Sequence, residues 1–176
     1  MTTRFDPIFA PLAIPDVVLV SPKQIGDARG LFRETYSKAA YQAVGVDADF
    51  VQDNHSISAT RGTVRGLHFQ RPPFAQAKLV RCLKGSVFDV AVDLRRGSPT
   101  FGAHVSATLG AETGDQLYVP AGFAHGFCTL EDECEIAYKV SAYYDAASDA
   151  GLAWDAPDLG VDWPVAASTA ILSDQD

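Results

Sequence analysis

The run Ser86-Val87-Phe88-Asp89-Val90-Ala91-Val92-Asp93-Leu94 alternates along its whole length. Successive side chains of a β-strand point to opposite faces. Phe88, Val90, Val92 and Leu94 therefore share one face of a predicted strand, and Val87, Asp89, Ala91 and Asp93 share the other. Similar short runs recur through the chain, separated by Gly, Pro and Asp turn signals. Strands are expected at 17–20, 30–36, 50–58, 63–70, 78–83, 86–94, 103–109, 116–119, 124–130 and 134–141. Lys84-Gly85 reads as a tight hairpin turn joining two of them, and Gly97-Ser98-Pro99 as another turn. One helix is expected, with Ser37 as N-cap, 38–44 as the helix and Gly45 as the stop. After Ser141 the chain is irregular and rich in Ala, Asp and Pro, with short helical turns expected to end near Trp154 and Trp163-Pro164. Many short strands with few, short helices predict an all-β jelly roll.

The chain has 176 residues, of which 47% are hydrophobic. That length predicts one domain over 1–176, with a substantial core. No apolar run approaches the roughly 18 residues of a membrane span, and no signal-peptide pattern opens the sequence. The three cysteines (Cys82, Cys128 and Cys134) form no C-x-x-C pair, and an odd count argues against a disulfide framework. A reducing, cytoplasmic setting is expected. The formal net charge of -8 speaks against non-specific nucleic-acid binding. It still allows a few arginines in one cleft to hold a small diphosphate, because local field and hydrogen bonding outweigh distant charge.

Two glycine-framed histidines stand out. Gly114-x5-Pro120-Ala121-Gly122-x2-His125 fits the second half of the cupin signature, and Gly62-x5-His68 has the spacing of the first half. That resemblance implies a cupin-like double-stranded β-helix barrel. At the second histidine of the first half this chain has Gln70, and Phe74 and Ala75 stand where a glutamate is expected. Zinc or iron sites want three or four ligands, and only His68 and His125 are credible donors, so no metal is expected.

For each candidate residue two readings compete. His68 lies on a predicted strand, with Val64, Gly66 and Gln70 at the same parity. It is either a hydrogen-bonded cleft histidine or a general base, since an unperturbed imidazole titrates near roughly 6.5. Tyr138 shares a strand face with Cys134, Ile136 and Val140. It is either a core tyrosine or a proton donor aimed into the barrel mouth. Lys78 opens a strand and is either solvated or a cation for an enolate oxygen. Arg29, in a turn, and Arg65 are either surface arginines or phosphate clamps.

Several segments in order resemble the dTDP-4-dehydrorhamnose 3,5-epimerase family: 50–56 (Phe-Val-Gln-Asp-Asn-His-Ser), 65–70 (Arg-Gly-Leu-His-Phe-Gln), 78–81, 88–93, 98–102, 120–127, Tyr138-Lys139, Trp163-Pro164 and Leu172-Ser173. The resemblance runs from about Pro15 to the last residue. It implies a cofactor-free, metal-free jelly-roll homodimer acting on dTDP-4-keto-6-deoxyglucose. By that resemblance His68 is the base, Tyr138 the acid, and Lys78 the support of the enolate oxygen. Asp176, of a Leu-Ser-x-x-Asp motif, is the partner of the histidine, with Asp174 as the alternative. Chain ends fray, so a carboxylate at 176 needs neighbours to tie it down. Arg29 and Arg65 resemble phosphate and substrate contacts. Gln52, Asn54 and His125 resemble site-lining polar residues, and Glu34 and Tyr143 nucleotide-side contacts. Ala77, Ala156 and Gln175 depart from the residues common in the family (Gly, Asp and Lys). Epimerisation at C3 or C5 alone, a metal-dependent cupin enzyme and a non-catalytic nucleotide-sugar module are the competing functions.

Overall fold

Among the described residues, thirteen short strands form two packed antiparallel sheets and one hairpin. The structure, a computed structural model, describes residues 5–176. One sheet has the order β1 (Ile8–Pro11), β2 (Val18–Ser21), β10 (Gln116–Val119), β7 (Lys78–Lys84), β12 (Cys134–Val140) and β5 (Gln52–Ser58). The other runs β13 (Asp149–Gly151), β6 (Val64–Gln70), β11 (Phe123–Thr129), β8 (Ser86–Asp93) and β9 (His104–Gly110). β3 (Gln24–Asp27) and β4 (Gly30–Arg33) form the hairpin. This is the expected jelly roll. All ten expected strands are present. β1, β3 and β13 are additional.

Three local expectations change. β7 and β8 do not pair through Lys84-Gly85. β7 pairs with β10 and β12, while β8 pairs with β11 and β9. The turn is tight, with Gly85 at φ 75°, but it carries the chain from one sheet to the other. The helix, α1, is Lys38–Gln42, shorter than 38–44, and Ser37 makes no side-chain cap bond. In the C-terminal region the helical turn is a 3-10 turn at Pro157–Leu159, between the two tryptophans.

The core lies between the sheets. Val80, Val87, Ala91, Leu109, Leu117, Val119, Phe127, Cys134 and Ile136 are all buried there. Burying a Val, Leu or Ile side chain stabilises by roughly 1.5–3 kcal/mol, which offsets the conformational entropy of ordering the strands. Of the two faces of β8, Val87 and Ala91 join this interior. Phe88, Val90 and Val92 face outward and are covered by Leu152, Leu159, Val161 and Trp163. The indole N–H of Trp163 donates to the Trp154 carbonyl (2.8 Å), tying the covering segment to itself. Further on, Ile171 bridges Thr63 in parallel, with its carbonyl accepting from Val64 N–H (2.9 Å). The chain end is thereby stitched beside β6.

β6 carries an irregularity that alternation does not reveal. His125 of β11 opposes His68, but Phe127 opposes Arg65, so β6 has one extra residue between them. Gly66 and Gly126 touch at this point: a Cβ on Gly66 would lie 2.5 Å from the Gly126 Cα, and Gly66 has φ 133°. Only glycine fits there. Past the bulge the faces swap. Val64 does not share the face of His68, as strict parity predicted; it packs outward with Cys128 and Trp154.

Candidate active site

Residues directly opposite in an antiparallel pair point to the same side of a sheet. Across β5, β12 and β7 the register aligns Asn54, Tyr138 and Val80 in one row, and Gln52, Val140 and Lys78 in the next. Val80 is in the interior cluster and Tyr138 packs against it, so both rows face the other sheet. His68 and Gln70 come from β6 of that sheet. Together Gln52, Asn54, His68, Gln70, Lys78 and Tyr138 line one cavity of about 320 Å³. Tyr144, Asp149 and Gln175 complete its mouth.

The Nε2–H of His68 donates to Asp176 Oδ1 at 2.8 Å. The His68 side chain is one-third exposed, whereas that of Asp176 is 4% exposed. Three further hydrogen bonds hold the Asp176 carboxylate in place. Oδ1 also accepts from Gly66 N–H (2.9 Å), and Oδ2 accepts from Ser173 N–H (2.9 Å) and the Ser173 hydroxyl (2.6 Å). Burial pushes this carboxyl up. The hydrogen bonds from Ser173, Gly66 and His68 outweigh that push, and its pKa ends below the usual value. Asp176 is therefore an anion that fixes the tautomer and orientation of His68. Asp174 is exposed and is not the partner.

Lys78 lies against the same cavity. Burial lowers its pKa to about 8, with the carboxylates of Asp89 and Asp149 pulling the other way. A half-neutral amine at slightly alkaline pH is unusual, and its charge is free to respond to a developing oxyanion. Asp89 is fully buried and accepts from His125 Nε2–H at 2.9 and 3.1 Å. His125, buried and directly opposite His68 in the ladder, thus lies behind the cavity wall. Sequence reasoning did not single out Asp89. A carboxylate on the otherwise apolar Val87–Ala91 face was the available signal, since a buried charge must find a partner.

Tyr138 is half-buried. Burial raises its phenol pKa, while Arg65 nearby and a hydrogen bond with Asn54 lower it. The hydroxyl therefore stays protonated at neutral pH and can donate. The Gln52 amide donates to Asn54 Oδ1 (2.7 Å), which orients this polar wall. Arg65 reaches across to β5, its Nε donating to the Ser58 hydroxyl at 3.1 Å.

Other expected residues stand apart in the single protomer. Arg29 sits on the β3–β4 turn, paired with Asp27, its side chain 90% exposed. Glu34 follows β4 and is not among the residues lining the cavity. Tyr143 is exposed and is not among the residues lining the cavity. Its neighbour Tyr144 lines the cavity and donates its hydroxyl to Asp149 Oδ2 (3.2 Å).

A jelly-roll barrel with a carboxylate-held histidine on one wall, a protonated tyrosine on the other and a lysine beside them defines an acid–base isomerase. The relatives agree. Residues 11–176 match the family model described as dTDP-4-dehydrorhamnose 3,5-epimerase. The chain is 54% identical over 168 residues to the dTDP-4-dehydrorhamnose 3,5-epimerase of Sinorhizobium fredii, covering 96% of this chain and 86% of that one. It resembles the crystal structure of the Bacillus anthracis dTDP-4-dehydrorhamnose 3,5-epimerase with TDP and PPi bound. The TM-score is 0.93 at 46% identity, over 97% of this chain and 96% of that one. The Legionella pneumophila dTDP-6-deoxy-D-glucose-3,5-epimerase in complex with dTDP-4-keto-L-rhamnose matches at a TM-score of 0.91 and 41% identity, over 97% and 89% of the two chains. This chain belongs to the dTDP-4-dehydrorhamnose 3,5-epimerase family.

Proposed function

We propose that the protein converts dTDP-4-keto-6-deoxy-D-glucose to dTDP-4-keto-L-rhamnose by inverting C3 and C5. The C4 ketone acidifies the hydrogens on both neighbouring carbons, so the reaction needs a base, an acid and a place for the enolate charge. His68 removes the proton, and Asp176 stabilises the imidazolium that results. Lys78 holds the enolate oxygen. Tyr138 returns a proton from the opposite face. The observation that carries this reading is the placement of His68 and Tyr138 on opposite sheets around one cavity, because inversion requires base and acid on opposite sides of the sugar ring. No redox step or metal enters the scheme, since the ketone supplies the activation. The reading assigns His68, Tyr138, Lys78 and Asp176 to catalysis, and Gln52, Asn54 and Arg65 to the substrate end, with His125 supporting the wall from behind through Asp89.

The substrate carries a diphosphate, and Lys78 is the sole cation lining the cavity among the described residues. We further propose a homodimer in which the β3–β4 hairpin of a second copy brings Arg29, with Glu34 after it, to the nucleotide. Leu31 and Phe32 on that hairpin are 57% and 56% exposed, an apolar surface suited to burial against a partner. The three cysteines are buried free thiols, which suits a reducing cytoplasm. No helix among the described residues is long and apolar enough to cross a membrane.

The test is proton NMR of dTDP-4-keto-6-deoxyglucose with the protein in deuterated buffer, followed by addition of a 4-keto reductase. Loss of both C3 and C5 signals with formation of dTDP-L-rhamnose supports the reading. Loss of one signal alone replaces it with a single-centre epimerase.

A further inference from the structure

Gln70 occupies the position at which the cupin signature places its second histidine, yet its side chain is turned to a different use. We infer that Gln70 is a positioning residue for the nucleotide end of the cavity, acting through Tyr144. The inference rests on the reading that this cavity takes a nucleotide sugar.

Gln70 is the last residue of β6, on the same inner face as His68, and is 6% exposed. Its amide makes three hydrogen bonds, all to main chain. Nε2 donates to the Phe74 carbonyl (2.7 Å) and to the Tyr143 carbonyl (3.1 Å), and Oε1 accepts from Asp145 N–H (2.7 Å). The two segments so joined, 71–74 and 143–145, lie outside the sheets, and the second brings Tyr144 to the rim of the cavity. Both N–H donors of the amide are committed to this clamp. A histidine at the same place offers only two ring nitrogens and could not complete it.

Tyr144 lies between the two main-chain groups that Gln70 grips. The residue is 61% exposed, so little packing holds it, and its hydroxyl rests on Asp149. Asp149 is in turn the register partner of Gln70 on β13. The position of the ring is therefore set by the main chain at 143 and 145 and by one side-chain bond. An aromatic face held at the cavity mouth is a stacking surface for a nucleobase. Releasing the clamp lets the rim sample other conformations, and ligand affinity falls by the fraction of time the rim is competent.

The experiment is a calorimetric titration of dTDP into the wild type, Gln70→Met, Tyr144→Leu and the double variant. Steady-state turnover is measured alongside. Gln70→Met should bind dTDP about tenfold more weakly, for a rim competent about one-tenth of the time. In turnover the loss should fall on KM more than on kcat. The double variant should bind no more weakly than Tyr144→Leu, because Gln70 then has no ring left to position. Gln70→Glu is the second variant should Gln70→Met not fold. It keeps the acceptor for Asp145 and sets a carboxylate against two carbonyl oxygens, and the same direction is expected. Wild-type dTDP affinity in Gln70→Met with a lowered Tm would show a purely structural role and overturn the inference, as would additive losses in the double variant. Failure of the wild type to bind dTDP would overturn it together with the functional reading. A wild type that binds dTDP but exchanges neither C3 nor C5 refutes only the functional reading, and the titration still decides the role of Gln70.

Discussion

Replacing Asp176 by asparagine isolates what the carboxylate does for His68. Asp176 accepts four hydrogen bonds: from His68 and Gly66 on Oδ1, and from the N–H and hydroxyl of Ser173 on Oδ2. An asparagine that keeps its oxygen towards His68 turns its NH2 towards Ser173. The hydroxyl there can rotate to accept, but the N–H cannot. The opposite rotamer sets the NH2 against two donors, Gly66 N–H and the His68 ring. Either way at least one donor is left facing a donor, and the negative charge opposing the imidazolium is gone. A hydrogen bond to a charged group is worth about 1.5–3 kcal/mol, and a mispaired buried donor costs about 1–3 kcal/mol. Assigning roughly 3–4 kcal/mol of that to the transition state gives a 10²–10³-fold fall in kcat, since each 1.36 kcal/mol is tenfold. The assay is the rate of C3 and C5 deuterium exchange at saturating substrate, with dTDP affinity as the control for folding. Exchange within about threefold of wild type in a variant that binds dTDP normally would refute the argument that the anion supports the base.

Lys78 sets the alkaline side of the pH profile. Its pKa is depressed to about 8, so it is a cation below that pH and loses its proton as pH rises through it. The rate should therefore decline above about pH 8 in the wild type, and Lys78→Arg, which does not deprotonate, should show a lower rate with that decline removed. In Tyr138→Phe the base is intact and the returning proton is lost. Deuterium exchange should persist while inverted product falls by about 10²-fold or more, read by reductase-coupled product analysis. Gly66→Ala places a Cβ 2.5 Å from the Gly126 Cα and 2.9 Å from the His125 carbonyl oxygen at a positive φ. It should destabilise the fold by about 3 kcal/mol or more, measured as a lowered denaturant midpoint.

The alternation of Ser86–Leu94 predicted a strand and its two faces, and β8 has both. Alternation is a local property and does not name a strand's neighbours. For that reason Lys84-Gly85, a true tight turn, read as a hairpin when it is a crossing between sheets. The same limit applied at β6. The face of His68 depends on the bulge at Gly66, and the bulge depends on contact with Gly126, sixty residues away by the numbering. That His68, Lys78 and Tyr138 would meet around one cavity, with Asp176 bonded to His68, was legible because their motifs stand in a familiar order. Asp89 was not, because its partner His125 is brought to it only by the ladder between β8 and β11. Tyr143 and Tyr144 are adjacent and chemically identical. The resemblance picked out Tyr143 as a nucleotide-side contact, whereas the ring that lines the cavity is that of Tyr144, a difference of one residue that motif position does not resolve.

The central claim is that His68 takes the substrate protons. Its most direct test is His68→Asn, which keeps a polar side chain beside Asp176 and removes the base. The variant should bind dTDP with near wild-type affinity and show no C3 or C5 exchange in deuterated buffer above about one part in 10²–10⁴ of the wild-type rate. Undiminished exchange in that variant would contradict the account.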